Sequence, residues 1–433
     1  MGTAVPLDHR SPQPPSCVAE AGKVSGDAYD RFVSHAMKYG ELAGGHHNHN
    51  FLMPLLPHLA QQLGQQAQSL VKVRVPRPDA LAVVPRTWKS ESRILLKLRG
   101  KIPNLPSPLD PRRKPSVHLW VEGTALSERC PAGKAVDAYY IDALAGLFGV
   151  MTRLNRNDVP LLPPSWPRNG DSTGYLRRLA RMTETRIRRP NWNRFGDLFE
   201  ALGVGPSAMR DFAKVIPSMQ RRPFGLLHTD LHRDNLIVTD DPDRPLYFLD
   251  WELASFGDPM HDLATHLVRM QYPDDQRDQV IEAWRNAVPV ESAAGLETDL
   301  PHYLAFEHAQ SVYPDVMRAA RDLLNADGPD GMESAVRVVR DALLKAANPL
   351  RLRSIADEET TREALTAWHR SQLQGRPKRG LSVGWQRLQE RLLGEQQSQG
   401  DEPGAVASGV AGLSAHSDQA QGQGADRAVL HGH

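Results

Sequence analysis

Cysteine is scarce in this chain: Cys17 and Cys130 are the two among 433 residues. That scarcity excludes a disulfide framework and a Cys-rich zinc module, and it fits a reducing compartment. A surplus of one charge sign is also missing. Lys and Arg total 52 and Asp and Glu 51, for a formal net charge of +1. Nucleic-acid coats and polybasic membrane binders need a large excess of one sign, so a charged ligand has to be met by a local site. No run of about 18 apolar residues occurs, and the longest candidate, Tyr139 to Met151, is interrupted by Asp142. The N-terminus lacks a charged-then-apolar signal pattern, and Pro6 stands where a myristoylation signal wants Ser or Thr. These absences lead us to expect a soluble, cytoplasmic protein that engages neither nucleic acid nor membrane; nothing in the sequence speaks to its oligomeric state.

Between two low-complexity ends the texture changes near residue 120. Residues 1–25 carry Pro6, Pro12, Pro14 and Pro15 among small and polar residues, and residues 396–433 are rich in Gln, Gly, Ala and Ser without aromatics; both are expected to be disordered. Upstream of residue 120, short β-like runs dominate, such as Ser69 to Val75, where Val71, Val73 and Val75 alternate with Lys72 and Arg74. Downstream the periodicity is mostly helical, beginning with Ala135 to Leu154. The expected organisation is an α+β chain of two lobes with a cleft between them: a small β-rich lobe over 26–121 and a larger, mostly helical lobe over 122–395.

The stretch Leu226 to His266 carries the chemistry. Two apolar runs, Asn235 to Val238 and Leu246 to Leu249, flank an Asp-Asp-Pro-Asp turn, which makes a hairpin. Asp230 and Asn235 stand before its first strand and Asp250 ends the second, so two carboxylates and an amide converge. Hard oxygen donors of this kind suit Mg²⁺ held against substrate phosphates. Phosphoryl transfer needs such a division of labour, one Asp to accept the proton of an attacking hydroxyl and an Asn with a second Asp to hold metal. Isolated aspartates in turns usually only cap helices or end strands; the joint spacing sets these apart.

His228-x-Asp230-x-x-x-x-Asn235, then Asp250-Trp251-Glu252, then Gly257-Asp258-Pro259-x-x-Asp262-Leu263-Ala264 resembles the signature of the aminoglycoside phosphotransferase and choline kinase group, small-molecule kinases whose fold is related to that of protein kinases. The resemblance implies a bilobal protein-kinase-like fold, Asp230 as catalytic base, Asn235 and Asp250 as Mg²⁺ ligands, His228 as a support of the catalytic loop, and Asp258 and Asp262 as structural residues. Thr229 departs from the family, which most often has Gly there. By the same resemblance Gly44, Gly45 and Asn48 form a phosphate-cradling turn, Arg74 or Lys72 holds the α and β phosphates, Glu91 pairs with that basic residue, and Trp120 to Glu122 form the hinge that takes the adenine. The implied reaction moves the γ-phosphoryl group of ATP or GTP to a small hydroxylated acceptor, an antibiotic of aminoglycoside, macrolide or nucleoside type or a related sugar or amino alcohol.

Three features pull in other directions. Tyr175 to Arg189 reads as a basic helix that could contact an anionic acceptor, although such faces are commonly just solvated. The Arg-rich stretch 155–225 suits a polycationic aminoglycoside poorly, and on the late helix around Phe306 to Asp315 the acceptor-side candidates are Glu307 and Asp315. His228, Asp230, His232, His261, Asp262 and His266 form a His/Asp-rich run that a metal-dependent hydrolase could use, and a nucleotide-binding regulator without catalysis is the further alternative. The retention of Asp230, Asn235 and Asp250 together speaks against that last reading.

Overall fold

The computed structural model describes residues 26–43, 48–77, 81, 83–242, 244–325 and 329–374. The segments 1–25 and 396–433, and Gly44 and Gly45 of the expected phosphate turn, lie outside the described residues.

The N-terminal part is a four-stranded antiparallel sheet in the order β1 (Glu41–Ala43), β2 (Asn48–Pro54), β3 (Leu70–Pro76) and β4 (Ser116–Leu119). The alternation along β3 sets its two faces. Val71, Val73 and Val75 are buried in one apolar cluster with Tyr29 and Phe32 of helix Gly26–Tyr39 and Leu59 of helix Pro57–Leu63. Lys72 and Arg74 take the opposite face. Register pairs Asn50 with Arg74 across β2 and β3, and Lys72 with His118 across β3 and β4.

Five short strands follow: β5 (Thr124–Ala125), β6 (Gly225–Leu227), β7 (Leu236–Val238), β8 (Leu246–Phe248) and β9 (Ser255–Gly257). The expected hairpin is β7 and β8, which β5 extends into a three-stranded sheet, while β6 pairs with β9. Gly123, just before β5, has φ +142°, and a Cβ there would lie 2.3 Å from the Val238 carbonyl oxygen, so the close approach of the hinge to β7 requires glycine. The remainder is helical, with long helices at Ala138–Arg153, Leu296–Asp322 and Pro329–Leu350 around a second, larger core. Helix Glu91–Leu98 follows β3 in sequence, yet buries Ile94, Leu95 and Leu98 in that larger core. Its N-terminus is thereby held against the loop that follows β8.

The Tyr175 to Arg189 stretch is not one regular helix. It is α-helical over Ser172–Thr183, widens to a π turn over Glu184–Arg188 and resumes as helix Arg189–Ala201. Pro190 has no N–H for the residue 186 carbonyl, and a widened turn accommodates that loss. Leu176, Leu179, Met182 and Ile187 face inward as their spacing predicted. Arg188 also turns inward: it is buried, donates to both Glu184 carboxylate oxygens at 2.5 Å and stacks over Trp192. It is therefore no part of a solvated basic face.

Candidate active site

The β7–β8 hairpin assembles the site. Leu249 N donates to Asn235 O at 2.8 Å, which holds the start of one strand beside the end of the other. Asp250, next in the chain, adopts a left-handed backbone with φ +59°. Thr229 does the same, also at φ +59°. This conformation is uncommon for residues with a Cβ, and it gives a physical reason for the glycine that the resembling kinases most often place there. Three bonds hold Thr229 in it. Asp262 accepts from His228 N at 2.8 Å and Thr229 N at 2.7 Å, and Thr229 Oγ1 donates to Leu253 O at 2.7 Å. Burial pushes the Asp262 carboxyl up to about 6, with the two amide donors pulling the other way.

Asp230 stands on this loop. Its Oδ1 lies 2.9 Å from Nη1 of Arg269, on helix Pro259–Met270, and Asn235 Nδ2 donates to its backbone oxygen at 2.9 Å and to Oδ2 at 3.3 Å. His228 packs its ring 4.4 Å from that of Trp251, with Nε2 3.0 Å from Leu249 O. Burial pulls its imidazole down to about 4, so near neutral pH the ring is uncharged and Nε2–H donates to the carbonyl. His228 thereby ties the loop to the end of β8.

Across the cleft, Glu91 pairs with Arg74 and not with Lys72. The Arg74 guanidinium meets Glu91 Oε2, donates to Asp250 Oδ1 at 3.0 Å and lies 3.7 Å from Glu252 Oε2. Burial works against this cation, but Glu91, Asp250 and Glu252 outweigh it and raise its pKa. Glu91 Oε1 also accepts Trp251 N at 3.0 Å, so one carboxylate ties helix Glu91–Leu98, β3 and the loop after β8 together. Burial would raise the Asp250 carboxyl, yet Arg74 overrides it and holds it below its ordinary value. Glu252 has Arg86 Nη2 at 2.7 Å, but burial and neighbouring Asp250 push its carboxyl up to about 7. Lys72 extends instead toward Trp120, 6.0 Å from its ring, and burial followed by Arg74 lowers its pKa.

Two spaces meet at Asp250. One is a cleft of about 630 Å³ lined by Asn48, Lys72, Arg74, Asp230, Asn235 and Asp250, and walled further along by Arg269, Asp315 and Arg318. The other is a slot of about 30 Å³ between Trp120, His118, Lys72, Ile237 and Leu249. Glu122 is exposed and lines neither. Asn235 and Asp250 offer the right atoms to a hard cation: with Nδ2 of Asn235 and Oδ1 of Asp250 committed, Oδ1 of the amide and Oδ2 of the carboxylate remain, a donor pair suited to Mg²⁺ with waters.

The other expected residues are structural. Asp258 caps helix Pro259–Met270 through Met260 N at 3.0 Å and receives Arg222, which is fully buried and also donates to Asp299 at 2.6 Å. Glu307 is buried against His261 Nε2 at 3.0 Å and does not line the cleft, whereas Asp315 does. His266 contacts Leu231 O and the Tyr272 hydroxyl. Among the described residues no three His, Cys, Asp or Glu side chains gather as a metal-binding group, which does not favour the hydrolase alternative. Sequence reasoning missed Arg269, Arg86, Arg318 and the role of Glu252. Only Glu252 had a local signal, its place in the Asp-Trp-Glu triplet.

A family model described as APH, phosphotransferase enzyme family, matches residues 62–296, more than half of the chain. Comparison with curated proteins found no match. Among solved structures, the chain is similar to a Plasmodium vivax ethanolamine kinase, with 14% identity, coverage of 70% of this chain and 81% of that one, and a TM-score of 0.46. It is also similar to the macrolide 2'-phosphotransferase MphH of Brachybacterium faecium, with 16% identity, coverage of 76% and 99%, and a TM-score of 0.41. No helix among the described residues is long and apolar enough to cross a membrane.

Proposed function

The chain belongs to the APH phosphotransferase enzyme family, and from that premise we propose that it transfers the γ-phosphoryl group of ATP or GTP to a hydroxyl of a small molecule, of antibiotic, sugar or amino alcohol type. The observation that carries this reading is the convergence of Asp230, Asn235 and Asp250 with the Arg74–Glu91 pair around one cleft. Residues 26–121 bind the nucleotide in this reading, and residues 122–395 carry catalysis and the acceptor.

Phosphoryl transfer asks the protein chiefly for positioning and charge stabilisation. Asp230 orients the acceptor hydroxyl and takes its proton, and Arg269 and Asn235 fix the carboxylate that does so. Asn235 and Asp250 hold Mg²⁺, which when bound neutralises charge on the donor phosphates. Arg74, kept in place by Glu91, faces the α and β phosphates, and Asn48 at the start of β2 lines the same cleft. The hinge from Trp120 to Glu122 receives the base, with Trp120 as its apolar wall. Two devices keep the loop rigid: the Asp262 clamp on Thr229 and the His228 brace on Leu249.

The test is Asp230→Ala with a panel of hydroxylated acceptors, following nucleotide consumption and the mass of an added phosphate. Turnover should fall by roughly 10²- to 10⁴-fold while the Kd of a non-hydrolysable nucleotide changes little. Turnover near that of the wild type would refute the assignment.

A further inference from the structure

The wall of the cleft built by helices Leu296–Asp322 and Pro329–Leu350 bears on which acceptor it takes, and the argument rests on the phosphotransferase reading above. Beyond the nucleotide side, three cations line the cleft, Arg269, Arg318 and Lys345, together with four acids, Asp230, Asp234, Asp315 and Asp341. Two pairs cancel internally: Arg269 with Asp230 at 2.9 Å and Lys345 with Asp341 at 2.7 Å. Arg318 is left over. It is half-buried, and among the described residues its side chain makes no hydrogen bond or ion pair. Asp315, one helical turn earlier, makes no direct hydrogen bond to it, but the two attract: burial raises the Asp315 carboxyl and Arg318 pulls it back.

A half-buried guanidinium that lines the cleft keeps its donors open to whatever enters, so an anionic group can replace the water there. Burial and the neighbouring Arg269 lower the Arg318 pKa, and Asp315 and Asp230 offset that only in part. A polycationic acceptor would bring further positive charge beside both. A carboxylate or phosphate would instead meet a planar fork suited to two-point binding, and Asp315 leaves room for an ammonium on the same molecule.

We propose that the acceptor carries an anionic group, a carboxylate or a phosphate, beside the hydroxyl that is phosphorylated, and that Arg318 binds that group. The test uses acceptor sets that share one scaffold and differ in charge: glycerol, serinol, glycerate and glycerol 3-phosphate; glucose, glucosamine, glucuronate and glucose 6-phosphate; and serine and homoserine as zwitterions. The kcat and KM of each are measured for the wild type, Arg318→Met, Arg318→Lys and Asp230→Ala. Anion-bearing members should lead their sets, and comparing carboxylate with phosphate identifies which anion is taken. Arg318→Met should raise KM for the preferred member by roughly 10- to 100-fold with a smaller change in kcat, and Arg318→Lys should restore part of it. A neutral or purely cationic member leading its set, or an Arg318→Met protein of wild-type melting temperature that keeps the same preference, would overturn the proposal. Nucleotide consumption that Asp230→Ala leaves unchanged would sink the phosphotransferase reading itself, whatever the charge preference.

Discussion

Arg74→Met tests the central network most directly. Arg74 is 8% exposed and touches three carboxylates, Glu91, Asp250 and Glu252. Deleting one partner of a buried ion pair costs about 3–5 kcal/mol, because a charge is left uncompensated. Here the cost should fall near the lower end, about 3 kcal/mol, since Arg86 still pairs with Glu252 at 2.7 Å and Trp251 N still donates to Glu91 at 3.0 Å. The loss should also depend on pH. Burial raises the Glu91 carboxyl and Arg74 pulls it back, so the variant raises it further; Glu252, already at about 7, moves the same way. Groups whose folded pKa exceeds the unfolded value bind more protons when folded, so their stability contribution is complete below the unfolded pKa and is lost as pH rises through the folded one. The deficit of the variant against the wild type should therefore shrink between pH 8 and pH 5.5. Urea unfolding at the two pH values reads the deficit, and calorimetry with a non-hydrolysable nucleotide reads any change in nucleotide affinity. The double variant Arg74→Met/Glu91→Gln should recover about 1–2 kcal/mol through the coupling of the pair. A deficit below about 1 kcal/mol, beneath the range for a broken buried pair, or one that grows on acidification, would refute the reasoning.

Asp262→Asn replaces one carboxylate oxygen by an N–H₂ that faces a backbone N–H, so one of the bonds to His228 N and Thr229 N is lost. The expected cost is about 1–3 kcal/mol, with kcat falling more than nucleotide affinity as the Asp230 loop loosens; unchanged kcat would count against the clamp. The slot beside Trp120, at about 30 Å³, holds little more than one water, so a base enters only if Lys72 or Trp120 moves. ATP or GTP should therefore change the tryptophan fluorescence, and Trp120→Phe should abolish most of that change; a full signal in the variant would place the base elsewhere.

How much of this was legible along the chain depends on how local each signal is. The β7–β8 hairpin was, because two apolar runs around an Asp-Asp-Pro-Asp turn leave the backbone few alternatives, and the ends of paired strands must be neighbours. The choice between Lys72 and Arg74 was not. Period two puts both on one face of β3, and what separates them is a helix whose apolar side packs into the other core, delivering Glu91 to Arg74. Thr229 looked like a minor departure; the backbone shows it at a left-handed position held by a buried carboxylate 33 residues away.

Residue order alone established the α+β composition, the Asp230, Asn235 and Asp250 constellation and the near-neutral charge that points to a local site, since each follows from periodicity, turn chemistry or counting. Tertiary structure alone decided which charges cancel. Arg269 meets Asp230, Arg74 meets Glu91 and Asp250, Arg188 turns inward onto Glu184, and Arg318 is left facing the cleft. Coulombic attraction and desolvation act over a few ångströms in space and take no account of separation along the chain, so a total of 52 basic and 51 acidic residues could not reveal which side chains would meet and which would face the cleft.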